Sequence, residues 1–415
     1  MIYYGLGIMN PHYFYCAALL ICIVVSMATG CCWTTSSTVG VALIGISAGL
    51  GLPLPVSAGF IISGAYFGDK MSPLSDTTNL APAVSGSELF DHIRAMIWTT
   101  LPTLLIVVVI SLLMGNAVRD MDYSRVELIR SMMRAEFRIS AWGIVPPAVI
   151  LVMALLKIPA IPGIVGGLCA GLLLSLFQGA SLHEALNVFF YGYEPSQLSV
   201  FAAAATPEAV RAAAAGAGTL FASVPDPAEF AKVGGLLTRL FTRGGMTSML
   251  ETICLIVVAL SLGGIMEVCG FLDAILDALM RRVRSVFGLV ASVIASSFVA
   301  NVFLSEQYLA IIVPGRMFRR AFDERSWDGR RLAPSMLSRS LEDSGTMTSV
   351  LVPWNTCGVY VSAVLGVPTL AYAPYCFLNW LNPIVALTMT WLGIAVTWRH
   401  GDRRHALPEV LPADP

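Results

Sequence analysis

Charged, hydroxyl and amide side chains are concentrated in residues 68–82, GDKMSPLSDTTNLAP, directly after an apolar segment. Two carboxylates, Asp69 and Asp76, lie close to Lys70 here. Ionised side chains are costly in hydrocarbon, so such a group beside membrane-type sequence usually faces a water-filled cavity, a partner or a bound ion. Glycine and proline at its two ends indicate a broken helix, which is tolerated at membrane depth where it lines such a cavity. We interpret the segment as half of an ion site.

Residues 341–358, LEDSGTMTSVLVPWNTCG, repeat this composition, and shorter polar breaks occur at 29–40 and 305–308. Trp33 precedes Asp69 by 69 − 33 = 36 residues, and Glu306 precedes Asp343 by 343 − 306 = 37 residues. Each half therefore contains two polar breaks at similar spacing. Paired interrupted helices in two halves of a chain point to a transport site near the bilayer midplane. Glycine kinks that match by coincidence are the alternative.

The composition is that of a membrane protein. Of 415 residues, 56% are hydrophobic and 12% are charged, with a mean hydropathy of +0.76, whereas soluble domains have roughly 45–50% apolar and roughly 25% charged residues. We predict an all-α polytopic membrane protein with about ten transmembrane segments, in two repeats with broken or re-entrant helices. The net charge of −1 gives no indication of a nucleic-acid partner. The nine cysteines lack the paired spacing of zinc or redox motifs, and we predict no cofactor.

The predicted organisation follows the apolar runs and the charge. Arginines and acidic residues alternate in 117–138, which favours a helix at the membrane surface. The stretch 316–339 is the most basic in the chain and is the best candidate for a cytoplasmic loop, although charge bias leaves the topology open. The predicted divisions are a first transmembrane repeat (1–116), a charged surface connector (117–138), a two-span scaffold (139–178), a connector with an alanine-rich insertion (179–245), a second transmembrane repeat (246–398) and a polar tail (399–415).

Three motifs carry a family resemblance: GAYFGDKMSPLSDTTNLAP at 64–82, QYLAIIVPGRM at 307–317, and LEDSGT with PWNTCG at 341–346 and 353–358. Here the chain resembles the NhaC family of sodium/proton antiporters, within a larger group of ion transporters with two inverted repeats. The resemblance covers nearly the whole chain except the region near 199–235. It implies a secondary active antiporter of Na⁺ or Li⁺ for H⁺, rather than an enzyme. It also implies a multi-pass protein of the cell inner membrane or plasma membrane, for which a homodimer is one possible assembly.

Two departures from the family pattern stand out. Family members usually have one or more additional N-terminal spans before the point at which this chain starts. They also tend to show Thr-Gly-Thr-Ser-Trp-Gly-Thr where residues 29–35 read TGCCWTT. Hard cations prefer oxygen to thiol ligands, so Cys31 and Cys32 put Na⁺ binding at this break in doubt unless other oxygens compensate.

The mechanistic hypothesis is that a carboxylate binds either Na⁺ or H⁺, but not both. Asp76 and Asp343 are the first candidates, followed by Asp69 and Glu306. Lys70 is predicted to pair with a carboxylate while the ion is absent or, equally, to cap a helix end at the interface. The predicted ion- and proton-binding set is Asp76, Asp343, Asp69, Glu306, Thr77, Thr78, Asn79, Asn355, Thr356, Thr34 and Ser344, of which Asp76, Asp343, Thr77 and Asn355 are the predicted Na⁺ ligands.

Two rival functions remain open at this point. The nearer one, within the same resemblance, is exchange of small organic substrates such as malate and lactate, coupled to Na⁺ and H⁺. The polar breaks contain no basic residue besides Lys70 to hold an organic carboxylate, which favours cation exchange. The remote one is an intramembrane aspartyl protease, whose two aspartates share a proton. That class requires a Tyr-Asp pair, which the sequence lacks.

Overall fold

The computed structural model describes residues 2–116, 123–156, 158, 160–204, 206–216, 227–242, 244–271, 274, 283, 285–327 and 329–399. Within these residues the chain is α-helical, and β-structure is limited to the isolated bridges Trp327–Arg330 and Leu332–Trp398. The predicted all-α class is confirmed. Most of the predicted polar tail (400–415) and the start of the predicted charged connector (117–122) lie outside the described residues.

The described α-helices follow one another through the whole chain. In order they are α1 Ile2–Ile8, α2 Pro11–Thr29, α3 Cys32–Thr35, α4 Val41–Gly49, α5 Leu54–Met71, α6 Asp76–Ser85, α7 Leu89–Asn116, α8 Tyr123–Glu136, α9 Val145–Leu155, α10 Ala160–Phe177, α11 Leu182–Tyr191, α12 Ser196–Ala203, α13 Pro207–Gly216, α14 Pro227–Phe241, α15 Leu250–Val268, α16 Val286–Phe303, α17 Gln307–Glu324, α18 Pro334–Leu341, α19 Met347–Ser349, α20 Thr356–Leu365, α21 Thr369–Tyr372 and α22 Phe377–Trp391. Turns of 3₁₀-helix occur at Ala141–Ile144, Met246–Met249 and Ala373–Tyr375.

Several helices are long and apolar enough to cross a membrane. Four described segments meet this condition by length and composition, namely Pro11–Thr29, Leu89–Asn116, Met246–Met266 and Val286–Phe303. A fifth is formed if the pair Thr356–Leu365 and Thr369–Tyr375, bent by 87°, counts as one span. The chain is therefore a multi-pass membrane protein with a broken helix. The figure of about ten segments stays a prediction.

The chain divides into two compact units. The first unit comprises residues 1–14, 41–57 and 115–253. Its connector region, predicted as a linker with an alanine-rich insertion, contains α12, α13 and α14. Phe201 of α12 and Phe230 of α14 are both buried, with ring centroids 5.4 Å apart. A Cβ atom at Gly234 would lie 2.7 Å from the backbone nitrogen of Ala202, so glycine permits this close helix contact.

The second unit comprises residues 15–40, 58–114 and 254–415 and contains all four polar breaks. Two of its helices change to π-helical geometry, at Ser36–Gly40 and at Glu342–Thr346. Single π-turns are rare and often occur at functional sites. Both π-segments lie in sequence breaks that the hydroxyl and acidic residues had marked.

Close packing of α5 on α2 fixes the end of α5. A Cβ atom at Gly68 would lie 2.4 Å from the backbone nitrogen of Met27 and from Cβ of Ser26. The Ser26 hydroxyl group also donates a hydrogen bond to the carbonyl oxygen of Ala65. Helix α5 can therefore approach α2 to backbone contact, and this contact positions the next two residues, Asp69 and Lys70.

Candidate functional site

A buried carboxylate, Asp343, lies in the π-helical turn after α18 and joins four elements of the second unit. Its Oδ1 atom accepts hydrogen bonds from Lys70, from Thr99 Oγ1 at 2.9 Å and from Asn382 Nδ2 at 2.8 Å. Its Oδ2 atom lies 3.5 Å from Nε of Arg339. These five side chains, on α5, α7, α18, the π-turn and α22, form what we call the Asp343 cluster.

The two cations of this cluster are as deeply buried as its carboxylate. Lys70, Arg339 and Asp343 each have 0% side-chain exposure. Arg339 is anchored further by hydrogen bonds to the carbonyl oxygen of Ala395 at 2.7 Å and to Thr390 Oγ1 at 3.4 Å. Desolvating an ion costs several kcal/mol, and removal of one partner of a buried pair costs roughly 3–5 kcal/mol. Each charge therefore depends on the others to remain buried.

Glu342 adds a second carboxylate next to the cluster. Its side chain is fully buried, and among the described residues neither carboxyl oxygen has a partner within hydrogen-bond geometry. The hydroxyl groups of Thr346 and Thr77 and the ammonium group of Lys70 interact with it electrostatically. Glu342 therefore lies among polar groups, and its carboxyl oxygens accept no hydrogen bond from the described residues.

A second group of polar atoms surrounds Asp69 at the end of α5. Asp69 Oδ1 accepts a hydrogen bond from Ser75 Oγ at 2.8 Å, and Ser75 Oγ lies 3.1 Å from Thr77 Oγ1. The side chains of Cys32 and Gln307 also interact with the Asp69 carboxylate. We call these five residues the Asp69 cluster. Carboxylate, hydroxyl and amide oxygens are the ligand types that hard cations prefer. Thr77 of this cluster also interacts with Glu342.

The two cysteines in the break at 29–40, Cys31 and Cys32, have different surroundings. Cys31 is the N-cap of α3, and its sulfur atom accepts a hydrogen bond from the backbone nitrogen of Thr34 at 3.5 Å. Cys32 is buried with its thiol group near Asp69. Of the two thiols, it is therefore Cys32 that occupies space next to the oxygen atoms of the Asp69 cluster.

The predicted residues of 76–79 divide into buried and exposed pairs. Asp76 opens α6 and is exposed, with its Oδ2 atom 3.5 Å from the hydroxyl group of Tyr308. Asn79 is exposed, and its side chain donates to the carbonyl oxygens of the preceding turn. Thr77 and Thr78 are buried, and the Thr78 hydroxyl group donates to the backbone of α5. Of these four residues, Thr77 is the one whose side chain is shown near both Ser75 of the Asp69 cluster and Glu342.

Three predicted residues of the breaks at 305–308 and 341–358 have side chains that form hydrogen bonds with the backbone. Glu306 is half-buried and caps α17, accepting hydrogen bonds from the backbone nitrogens of Tyr308 at 2.6 Å and Leu309 at 3.2 Å. Asn355 caps α20 through the backbone nitrogen of Cys357 at 3.0 Å. The Ser344 hydroxyl group donates to a carbonyl oxygen of α16 at 2.8 Å.

The remaining two predicted residues are both buried hydroxyl side chains. Thr356 follows the Asn355 cap, and its hydroxyl group has no partner among the described residues. Thr34 lies in α3, where its carbonyl oxygen accepts hydrogen bonds from Ser37 and Thr38 of the π-turn. Neither hydroxyl group contacts the Asp343 cluster through a hydrogen bond among the described residues.

Sequence reasoning missed three members of the Asp343 cluster. Arg339 belongs to the basic stretch assigned to a cytoplasmic loop, yet it is fully buried on α18, one turn before Asp343. That i, i+4 spacing was an available signal for pairing. Thr99 and Asn382 lie in apolar spans, where polar side chains are usually functional or join helices. Their polarity was visible, but their common partner was not.

Comparison with known proteins identifies the family. The model of the Na⁺/H⁺ antiporter family matches residues 64–225 and 217–394. The chain belongs to this family. The match covers the polar breaks at 68–82, 305–308 and 341–358 in full, and with them every member of the Asp343 cluster. A family of antiporters comprises transporters, so the chain is classed with transporters and the motif-based resemblance is confirmed.

Curated relatives share this similarity over most of their length. The chain is 32% identical to the Na⁺/H⁺ antiporter NhaC of Alkalihalophilus pseudofirmus over 396 residues, 95% of this chain and 78% of that protein. It is 33% identical to NhaC of Bacillus subtilis over 391 residues, 93% and 78% of the two chains. It is also 32% identical to the malate-2H⁺/Na⁺-lactate antiporter of Bacillus subtilis over 396 residues, 95% and 76% of the two chains.

Proposed function

We propose that this antiporter exchanges Na⁺, and also Li⁺, for H⁺, by competition of the two cations for one buried group of charges. The proposal rests on the net charge of that group. Among the described residues, the buried ionisable carboxylates are Asp69, Glu342 and Asp343, and the buried cations are Lys70 and Arg339. With all five ionised the net charge is 2 − 3 = −1.

A net charge of −1 accounts for exclusive binding. One Na⁺ or one H⁺ neutralises the group, whereas both together leave a charge of +1 in a desolvated site. An uncompensated buried charge costs several kcal/mol, which corresponds to a factor of more than 10² in binding. Binding of Na⁺ therefore displaces a proton, and binding of a proton displaces Na⁺. This exclusion is the coupling that exchange requires.

The arrangement also supports distinct roles for the two clusters. In our proposal the Asp69 cluster, which includes Thr77, supplies most of the Na⁺ oxygen ligands. Asp343 provides charge, and Lys70 replaces the ion when it is absent. Asp76, exposed at the start of α6, attracts the cation before it enters. Asn355 stabilises the backbone of the break at 341–358, because its amide oxygen already accepts a backbone hydrogen bond.

The proposal is tested with the full chain in proteoliposomes that contain a pH-sensitive dye. We expect Na⁺ addition to move protons outward in exchange, and Asp343→Asn to abolish this movement. Glu324→Gln is a matched control, because Glu324 is an exposed acid paired with an exposed arginine, and we expect it to transport as wild type. Absence of Na⁺-dependent proton movement in the wild type, or full activity of Asp343→Asn, would contradict the proposal.

Exchange of organic anions is a second candidate function. Lys70 and Arg339 lie on opposite oxygens of Asp343, so the site has two cations that could bind a substrate carboxylate, where sequence reasoning counted one. A malate/lactate antiporter is also among the relatives. Loading the same proteoliposomes with lactate and adding labelled malate decides between the two functions. Uptake of malate only in lactate-loaded vesicles would support the second candidate over the first.

Several broader properties complete the proposal. We place the protein in the plasma membrane, or in the inner membrane of a cell with two membranes, as two structural repeats that meet at the site. It acts without a cofactor, without enzymatic activity and without nucleic acid, and assembles as a homodimer. Crosslinking in intact membranes followed by electrophoresis tests the last point, because a band at the monomer mass alone would contradict a dimer.

A further inference from the structure

The first unit contains an open pocket of ≈ 800 Å³ that has no role in the proposed exchange. Helix α1 and the end of α8 form it, and its lining includes Tyr3, Arg130, Arg134, Glu136 and Arg138. The guanidinium groups of Arg130 and Arg134 lie 4.5 Å and 5.1 Å from the centre of the Tyr3 ring. Arg134 also donates a hydrogen bond to the Tyr3 hydroxyl group. Two guanidinium groups of like charge therefore contact one aromatic ring.

The acidic residue in the lining, Glu136, forms no ion pair with these arginines among the described residues. The Glu136 carboxylate accepts hydrogen bonds from the backbone nitrogens of Ser196 at 2.9 Å, Gln197 at 2.8 Å and Leu198 at 2.9 Å, which cap α12. Tyr193 donates a further hydrogen bond to it. Partial burial, reinforced by the Glu136 carboxylate, raises the pKa of Tyr193, so the hydroxyl group remains a donor. Glu136 is fully engaged elsewhere.

The arginines retain donors that no described group satisfies. Nε of Arg130 is buried without a hydrogen-bond partner among the described residues. Within the same described part of the chain, no carboxylate forms an ion pair with Arg130 or Arg134. The negative end of the α8 dipole offsets only about half a charge. The three arginines and one glutamate of the lining give a net charge of 3 − 1 = +2, and a guanidinium group presents forked donors that match the geometry of a phosphate group.

We propose that this pocket binds the phosphate group of an anionic ligand, with a phospholipid headgroup or free phosphate as its source. Arg130 and Arg134 provide the forked donors, and Tyr3 orients both of them. Arg138, whose guanidinium group is tied to the carbonyl oxygen of Gln178 at 2.9 Å, adds charge at the rim. Arg130 follows the end of a candidate membrane span, Asn116, by 130 − 116 = 14 residues. This short separation in sequence is consistent with a position of Arg130 near lipid headgroups.

Binding to the purified full-length chain in detergent tests this proposal and separates the two sources. The probes are short-chain phosphatidylglycerol, short-chain phosphatidylcholine and inorganic phosphate, each titrated by microscale thermophoresis. We expect phosphatidylglycerol to bind more tightly than the zwitterionic lipid. Weak binding of inorganic phosphate supports the lipid as source, and phosphate binding of equal strength supports a soluble anion.

Variants locate the binding. Each arginine near an anionic headgroup contributes about fivefold in affinity, so Arg130→Gln with Arg134→Gln should weaken binding about 25-fold. Arg134→Gln alone, at an exposed side chain, should weaken it about fivefold without affecting folding. Arg94→Gln with Arg320→Gln removes two exposed arginines elsewhere and should leave affinity unchanged. Equal affinity of Arg134→Gln and wild type, or equal binding of both lipids with no phosphate binding, would overturn the proposal.

Discussion

Replacement of Lys70 by methionine is the most direct test of the buried charge network. Methionine has a similar length and no charge, so the change removes the ammonium group with little loss of packing. Asp343 would keep hydrogen bonds from Thr99 at 2.9 Å and Asn382 at 2.8 Å. Removal of one partner of a buried pair costs roughly 3–5 kcal/mol. Because these two neutral donors and the Arg339 guanidinium group, whose Nε lies 3.5 Å from Oδ2 of Asp343, all remain, we expect a loss near the lower limit, about 3 kcal/mol.

A double-mutant cycle separates the pair from its surroundings. Asp343→Asn alone should also destabilise the protein, since it removes the carboxylate charge that the buried cations Lys70 and Arg339 share. The double variant should be more stable than the sum of the two losses predicts, by about 2 kcal/mol, within the range for residues in direct contact. The free energy of unfolding is measured in detergent by denaturant titration of intrinsic tryptophan fluorescence. Losses that add to within about 0.5 kcal/mol would refute a direct interaction.

An exposed ion pair gives the matched control. Arg320 and Glu324 form a pair at 2.7 Å, four residues apart on α17, with 83% and 61% side-chain exposure. Exposed pairs of this spacing contribute about 0.3–0.5 kcal/mol. The same cycle with Arg320→Met and Glu324→Gln should therefore give a coupling several times smaller than that of Lys70 with Asp343. Equal couplings would mean that burial adds nothing to the pair.

Three further predictions concern the elements around the site. Gly68→Ala should lower the free energy of unfolding by about 1–3 kcal/mol through overpacking, because the new Cβ atom would meet α2 at 2.4 Å. The control Gly264→Ala, whose Cβ atom would have no neighbour within 4 Å, should cost less than about 0.5 kcal/mol. Equal losses of the two variants in a thermal-shift assay would contradict the packing argument. Cys32→Ser should lower the Na⁺ concentration for half-maximal exchange severalfold, since a hydroxyl group replaces a thiol near Asp69, and an unchanged or higher value in the proteoliposome assay would exclude a role in the ion site. Asp69→Asn should raise that concentration at least tenfold, and an unchanged Na⁺ dependence would remove Asp69 from the ligands.

The membrane class and the broken helices could be predicted from sequence because each depends on local composition. A high apolar content forces burial in lipid, and polar residues flanked by glycine or proline mark interruptions. Both π-helical segments fall in predicted breaks. For Lys70, one of three lysines in the chain, the sequence left pairing with a carboxylate and capping of a helix end equally open, and the structure pairs it with a carboxylate. Its partner, Asp343, lies 343 − 70 = 273 residues away, a distance that no local pattern encodes.

The role of individual residues within each break could not be predicted in this way. Asp76 and Asp69 are equivalent by composition, but helix α6 begins at Asp76 and leaves it exposed, while the tight α2–α5 contact carries Asp69 inward. Arg339 presents the opposite problem. Counted with its neighbours it resembles a loop arginine, and only its position one turn before the π-segment makes it a buried counter-charge. Tertiary packing decides between such alternatives.

In the proposed ion site, the same charge count accounts for the two buried cations that accompany the three carboxylates. Three carboxylates alone would carry −3 and would favour divalent ions or several protons at once. Lys70 and Arg339 reduce this charge to −1, which one monovalent ion neutralises. Lys70→Met should return it to −2, so Ca²⁺ should inhibit Na⁺-dependent proton movement by this variant at concentrations that leave the wild type unaffected. If the residual activity of the variant is as insensitive to Ca²⁺ as that of the wild type, net charge does not set the valence of the bound ion.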